Sequence, residues 1–221
     1  MLEAKNITKT FQSEGVKTPA LRKVNLSLQA GEFVSLVGRS GSGKTTFLNV
    51  LSTLLAPDSG QILYQGEDVT GFSAKRLNSL RNRDFAVVFQ FHYLLPCLTA
   101  QENVLLPFMN GLGPVGKEEV ERARRCLERV GLAGKEGKLP GHLSGGEQQR
   151  VAIARALVKK ATILFADEPT GNLDKSTGES VMELLIGLKN EGLGIIMVTH
   201  DEDYARRADR VVRMADGTVL D

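Results

Sequence analysis

The sequence predicts an α/β fold with a mainly parallel core sheet, an antiparallel β part at the N-terminus and an inserted helical segment. Three observations carry that prediction. Apolar runs at residues 33–37, 85–89, 163–165 and 195–198 show no alternation and read as strands buried on both faces. Helical patterns separate them, and strands alternating with helices imply a parallel sheet covered on both sides. Residues 2–11 and 20–28 do alternate apolar and polar, which reads as antiparallel strands.

Between those first two stretches lies Ser13-Glu14-Gly15-Val16-Lys17-Thr18-Pro19, a turn-rich connection. The run 33–37 leads into Gly38-Arg39-Ser40-Gly41-Ser42-Gly43-Lys44-Thr45-Thr46, and Phe47-Leu48-Asn49-Val50-Leu51 continues as a helix. Strand, glycine-rich loop, then helix is the context that G-x-x-x-x-G-K-[ST] requires to hold phosphate. Glycines let the backbone turn tightly and aim N–H groups at phosphate oxygens, and the helix opening near Gly43 adds its dipole. Lys44 brings positive charge to the β- and γ-phosphates, and the Thr45 hydroxyl is a ligand for Mg2+. The core is thus expected to be that of a P-loop NTPase.

The helix after the loop is expected to stop near Leu55, because Pro57-Asp58-Ser59-Gly60 is strong turn chemistry. A short strand at 61–64, a turn at Gly66 and a basic helix over 73–82 follow. The stretch 91–157 then changes character. Gly111-Leu112-Gly113-Pro114-Val115-Gly116 breaks the chain, and Val120, Ala123, Leu127 and Val130 give the next helix one buried face. A further helix opens at Ser144. Residues 1–90 and 158–221 therefore read as one nucleotide-binding core and 91–157 as a helical insertion. A helix over 178–189 and a hairpin at Asp216-Gly217, between 211–213 and 218–220, complete the core.

Bulk properties narrow the function classes. At 221 residues and 42% hydrophobic the chain has ample material for a packed core, and a net charge of +2 implies no broad attraction to nucleic acid. Cys97 and Cys126 form no framework and read as reduced thiols of a cytosolic protein. No apolar run reaches the roughly 18 residues needed to span a bilayer. Met1-Leu2-Glu3-Ala4-Lys5 has no signal layout, so a soluble intracellular chain is expected.

Asp167 and Glu168 end the apolar run 162–166, where ligands of an open α/β sheet sit. There Asp167 suits the magnesium shell and Glu168 the polarisation of an attacking water. Gln90 ends another buried strand: its amide suits magnesium or water, and it reads equally as a polar strand terminator. His200 ends the run 195–199 and reads either as a donor to a γ-phosphate or as a helix cap. In Leu143-Ser144-Gly145-Gly146-Glu147-Gln148-Gln149-Arg150, Ser144 and Glu147 form a capping box, and the glycines leave the helix end bare enough for an anion.

Together, residues 38–46, Gln90, residues 143–150, Asp167-Glu168, Gly171-Asn172-Leu173-Asp174 and His200 resemble the nucleotide-binding subunit of ABC transporters, in the family's order and across essentially the whole chain. The resemblance implies an ATPase with ATP and Mg2+ as cofactors, in which two copies face head to tail. Each ATP then lies between one copy's phosphate loop and the other's Ser144, Gly145, Gly146 and Glu147. It implies catalytic roles for Glu168, His200 and Gln90, magnesium ligation by Thr45, Gln90 and Asp167, and a dimer contact at Asp174. Phe11 falls at the position of the aromatic that stacks on adenine, where tyrosine is commoner.

Glu168-Pro169-Thr170-Gly171-Asn172-Leu173-Asp174 resembles the branch of lipoprotein-releasing, macrolide-export and cell-division ATPases. Gln90-Phe91-His92-Tyr93-Leu94-Leu95-Pro96 with Glu102-Asn103-Val104 looks most like the lipoprotein-releasing one. Cys97 departs from the acidic residue expected there. The branch implies a peripheral subunit on the cytoplasmic face of the inner membrane, docked to integral membrane subunits near residues 91–110. An exposed apolar surface at Leu94, Leu95, Leu98 and Phe108 suits such docking. The competing class, a soluble ATPase of DNA repair or translation, typically has a coiled coil, zinc modules or paired cassettes, none of which the sequence shows.

Overall fold

Among the residues that the computed structural model describes (1–13, 15–109 and 114–220), two sheets carry the fold. The antiparallel sheet has β1 (Leu2–Ser13), β2 (Val16–Leu28), β4 (Ser59–Tyr64) and β5 (Glu67–Asp68) in the order β2-β1-β4-β5. The alternation of β1 buries Leu2 and Ala4, and a register shift at Asn6, whose φ is 52°, brings Ile7 rather than Asn6 to the buried face. Its ladder with β2 continues to Ser13↔Val16, so residues 16–19, expected as a connection, are strand. Ladder pairing overrides the local turn composition, and β2 lies at the sheet edge, where Pro19 lacks only a solvent-side N–H. Glu14 lies outside the described residues, as does the expected break at Gly111-Leu112-Gly113.

The second sheet comprises β3 (Phe33–Val37), β6 (Phe85–Val88), β7 (Ile163–Asp167), β8 (Gly194–Val198), β9 (Arg210–Ala215) and β10 (Thr218–Leu220), in the order β10-β9-β3-β8-β7-β6. All neighbours run parallel except the β9–β10 hairpin, whose Asp216 and Gly217 both have positive φ, 48° and 77°. That is the geometry an Asp-Gly hairpin turn takes. Gly217 O also accepts from Arg22 N–H at 2.7 Å, tying the two sheets together.

The helices are α1 (Lys44–Leu51), α2 (Ala74–Arg83), α3 (Ala100–Leu105), α4 (Lys117–Arg129), α5 (Gly145–Leu157), α6 (Lys175–Asn190) and α7 (Glu202–Ala205). Helix α1 ends earlier than expected. Leu54 and Leu55 N–H both turn back to Asn49 O, and Thr53 sits at φ 59°, so the chain leaves the helix at Ser52. Of the face expected from spacing, Ala123 and Leu127 on α4 and Val130 at its end are buried and Val120 packs partly buried against the same core, and Cys126 joins them.

The central sheet divides the core by the period of its strands. Val34, Leu36, Phe165, Ile196 and Val198 pack on one face with Phe47, Leu48 and the antiparallel sheet. Phe33, Leu164, Ala166, Ile195 and Met197 pack on the other with Leu127, Ile153, Val181 and Leu185. Each large side chain so buried contributes roughly 1.5–3 kcal/mol. The register that achieves this sets Asp167 opposite Val198 and Leu36 opposite Val198, so the carboxyl ends of β3, β7 and β8 lie side by side. No described helix is long and apolar enough to cross a membrane.

Candidate nucleotide site

At the end of β3 the chain curls into the glycine-rich loop. Gly41 and Gly43 take φ of 80° and 97°, conformations that disfavour a side chain. At Gly43 a Cβ would also lie 2.5 Å from Ala20 O. Ser42 N–H donates to Arg39 O, and the first N–H groups of α1 precede any intrahelical partner. Lys44 is buried, its Nζ donating to the carbonyls of Gly38 at 2.8 Å and Arg39 at 3.0 Å. The ammonium is thereby held within the curl of the loop. Gly38, Ser40, Gly41, Gly43, Lys44, Thr45 and Thr46 line a cleft of about 280 Å³, closed on its far side by Glu168 and His200. Arg39 and Ser42 line the neighbouring cleft, with β9 and β10, instead.

The acids at the end of β7 meet this loop. Thr45 Oγ1 donates to Asp167 Oδ1 at 3.0 Å. Burial pushes the Asp167 carboxyl above its ordinary range; the Thr45 hydrogen bond opposes this, the adjacent Glu168 adds to it, and Lys44 opposes it. Glu168 sits at φ 47°, a left-handed conformation costly for a residue with a side chain and typical of sites that need one fixed direction. Its N–H donates to Val198 O at 2.9 Å, which anchors it to β8. His200 Nδ1 lies 3.2 Å from Glu168 Oε2. An ionised carboxylate only accepts, so this contact selects the tautomer protonated on Nδ1 and leaves Nε2 free. The helix cap that His200 could have supplied is made by Asp201, which accepts from Asp203 and Tyr204 N–H.

Gln90 follows β6 and reaches the same edge from the side. Its Nε2 donates to Asn172 Oδ1 at 3.3 Å, and Asn172 Nδ2 returns a bond to Gln90 O at 3.4 Å. It does not line the phosphate cleft. Phe11 is 46% exposed on β1, which removes the core reading, and it too lies outside that cleft.

Ser144 caps α5 with a full capping box, Glu147 N–H donating to Ser144 Oγ and Ser144 N–H to Glu147 Oε2. Lys135 also contacts Glu147 and is the main cause of its lowered carboxyl pKa. None of Ser144, Gly145, Gly146 and Glu147 lines the phosphate cleft of its own chain. Gly146 instead lets α5 approach α6, since a Cβ there would overlap Thr177, whereas one at Gly145 would only reach ordinary contact with Leu173, at 3.6 Å. Asp174 caps α6, accepting from Thr177 N–H and from the hydroxyls of Ser176 and Thr177, which hold its carboxyl well below the usual range.

The segment after Gln90 differs from expectation in which residues it exposes. Leu94 and Phe108 are half-buried against the core and Leu98 is half-buried, while Phe91 (63%), Tyr93 (64%) and Leu95 (44%) are exposed. Two residues with no role assigned from sequence hold this segment. Arg155 of α5 donates to the carbonyls of His92 at 2.7 Å and Tyr93 at 2.8 Å. Asn103, fully buried, accepts from Leu95 N–H and donates to the carbonyls of Leu95, Leu98 and Thr99. For Asn103 the signal in the sequence is a polar residue at a buried helical position; Arg155 is only half-buried. Cys97 is exposed and Cys126 buried, both unbridged.

Known proteins resemble this chain in sequence and fold. A family model described as ABC transporter matches residues 21–171. The lipoprotein-releasing system ATP-binding protein LolD of Aquifex aeolicus is 45% identical over 220 residues, covering 100% of this chain and 96% of that one. The macrolide export ATP-binding/permease protein MacB of Neisseria meningitidis serogroup B is 44% identical, but this chain spans only 34% of its length. The dimeric structure of MJ0796, a bacterial ABC transporter cassette, superposes with a TM-score of 0.91 at 41% identity, covering 100% of this chain and 97% of that one. A second dimeric structure of MJ0796, in a post-hydrolysis state with ADP and Pi, gives 0.91 at 40%. The chain belongs to the ABC transporter family and is one of its ATPase cassettes.

Proposed function

We propose that this cassette drives the release of lipoproteins from the inner membrane as the ATP-hydrolysing subunit of a LolD-type transporter. One geometric observation carries the ATPase part. Thr45 on Asp167, and Glu168 beside His200, converge from three elements on the cleft that Lys44 and the loop glycines line. The loop N–H groups and Lys44 bind the triphosphate, and Phe11 stacks on the adenine. Glu168 takes the proton from the attacking water as its oxygen bonds to the γ-phosphorus and the bond to the β–γ bridging oxygen breaks. His200 Nε2 faces the γ-phosphate and, through Nδ1, holds the Glu168 carboxylate in position.

The donor set fits magnesium. A hydroxyl, a carboxylate and an amide oxygen from Thr45, Asp167 and Gln90 are hard oxygen ligands, and few enough to leave room for phosphate oxygens and water. Asp167, whose carboxyl burial pushes up, is the group whose charged form a nearby cation would favour. Magnesium held by these residues would act as a Lewis acid, offsetting the negative charge of the phosphates.

A second copy completes the site. Ser144, Gly145, Gly146 and Glu147 are turned away from their own cleft and present a capped helix end suited to the other copy's γ-phosphate, with Asp174 beside them. The exposed Phe91, Tyr93 and Leu95 face membrane subunits docking near residues 91–110, with 91–157 moving as a helical unit at the cytoplasmic face. Lipoprotein release is favoured over macrolide export because Gln90-Phe91-His92-Tyr93-Leu94-Leu95-Pro96 with Glu102-Asn103-Val104 looks most like the lipoprotein-releasing ATPase.

Glu168→Gln tests the reading. It should bind ATP at near-normal affinity, lose at least about 100-fold in turnover and accumulate as an ATP-bound dimer. Turnover within threefold of the parent removes Glu168 from its role.

A further inference from the structure

Helix α5 carries one amide that no described protein group satisfies. Gln149 is 0% exposed, and neither its Oε1 nor its Nε2 has a hydrogen-bond partner. An unpaired buried amide is costly, whereas an apolar side chain of the same length carries no such cost. The adjacent Gln148 shows the contrast, its Nε2 donating to the carbonyls of Pro140 and Leu143.

The register of α5 says where Gln149 points. It lies one turn on from Gly145, which faces Leu173, and three residues on from Gly146, which faces Thr177. It therefore looks into the junction between α5, the turn 171–174 and the start of α6. In that turn Gly171 N–H donates to Glu168 O at 3.0 Å and Leu173 N–H to Thr170 O at 3.1 Å. The N–H groups of Asn172 and Asp174 make no hydrogen bond to a described protein group. The turn also reaches the reaction centre directly: a Cβ on Gly171 would lie 2.9 Å from Gln90 Nε2 and 3.1 Å from Glu168 Oε2.

We propose that Gln149 is a positioning residue: when the cassette closes over ATP, its amide pairs with backbone N–H and C=O groups of the 171–174 turn, and the turn then fixes the Glu168 carboxylate. The Asn172 and Asp174 N–H groups are donors for Gln149 Oε1. A carbonyl of a neighbouring peptide in the turn is the acceptor for its Nε2, since a trans peptide points its own C=O and N–H to opposite sides. Because the pairing forms only on closure, it lowers the closed state relative to the open one and links the seat of α5 to the water-activating group of the same chain. The inference rests on the role proposed for Glu168.

Gln149→Met in the full chain tests it, with four readouts: Tm without nucleotide, the KM for ATP, kcat, and ATP-driven dimerisation in the Glu168→Gln background. The expected result is a Tm equal to or above that of the parent, KM within twofold, kcat lower by at least about tenfold, and a dimer that needs more ATP. Unchanged kcat overturns the proposal, since the amide then has no part in closure. A Tm that falls overturns it too, because the amide is then already paired in the open state. If Glu168→Gln itself turns over normally, the failure belongs to the role of Glu168 and not to Gln149.

Discussion

Thr45 and Asp167, 122 positions apart, share one hydrogen bond of 3.0 Å, and through it the first turn of α1 is joined to the end of β7. Thr45→Val keeps the shape of the side chain and removes that donor. The bond is exposed, so the loss of stability should be small, about 0.5–1.5 kcal/mol. The effect on magnesium should be larger, because the hydroxyl is also the proposed ligand. The Mg2+ concentration for half-maximal ATPase activity should rise at least about tenfold, as read from a magnesium titration at fixed ATP. An unchanged magnesium dependence sinks the ligand role of Thr45.

Lys44 is held by two carbonyls of its own loop, so its ammonium is positioned ahead of any phosphate. Charge-assisted hydrogen bonds are worth roughly 1.5–3 kcal/mol each. Lys44→Ala should therefore weaken ATP binding by about 10- to 150-fold, measured by calorimetry, with little change in fold. Equal affinity in the two proteins refutes the phosphate assignment.

Much of this site is legible in the sequence because each part is local. The loop residues 38–46, the acids ending β7 and the Ser144–Glu147 capping box are short patterns whose geometry is set within a few residues. The hairpin at Asp216-Gly217 is legible for the same reason. What the sequence hides is set by distant partners. Arg155 grips His92 and Tyr93, 63 and 62 positions away, and Asn172 grips Gln90, 82 positions away. Such contacts leave no period to read. The length of β2 was hidden by a different conflict, in which the turn-forming Thr18 and Pro19 are drawn into a ladder whose long-range pairing outweighs local preference.

Asn103 fastens the segment that the exposed apolar residues occupy. Asn103→Leu fills similar space but strands the Leu95 N–H and the Leu98 carbonyl, while the Leu95 and Thr99 carbonyls keep the backbone N–H groups of Leu98 and residue 103. Each buried group left unpaired costs about 1–3 kcal/mol. Allowing for water reaching some of them, the variant should lose at least about 2 kcal/mol in chemical denaturation. A loss under about 0.5 kcal/mol contradicts this account of the segment.

Asp58 gives a pH dependence with a definite sign. Lys9 Nζ at 2.8 Å and Thr10 N–H at 2.6 Å donate to its carboxylate, and these bonds lower its pKa from the ordinary 3.8. A carboxyl depressed by folding contributes stability above its unfolded pKa and loses it as pH falls through the folded value. Asp58→Asn should therefore be less stable than the parent by a constant amount from neutral pH down to about pH 5. The gap should close below pH 3.8. Denaturant midpoints of both proteins between neutral pH and pH 3 check it, and a gap that widens on acidification has the wrong sign.

The contact between α5 and α6 can be tested with a pair of substitutions. Gly146 has no space for a side chain because the Thr177 methyl occupies it. Gly146→Ala should cost about 1–3 kcal/mol by overpacking. Thr177→Ser removes that methyl and keeps the hydroxyl that donates to Asp174 at 2.6 Å, so alone it should cost little. Together the two should recover much of the loss, giving a favourable coupling of at least about 0.5 kcal/mol in a double-mutant cycle. ATPase activity separates packing from ligand approach. If the bare helix end serves only its own α6, the double variant regains turnover along with stability. If it also meets a partner's γ-phosphate, as proposed, the alanine methyl still stands in the way, and turnover stays low in a protein whose fold has been restored.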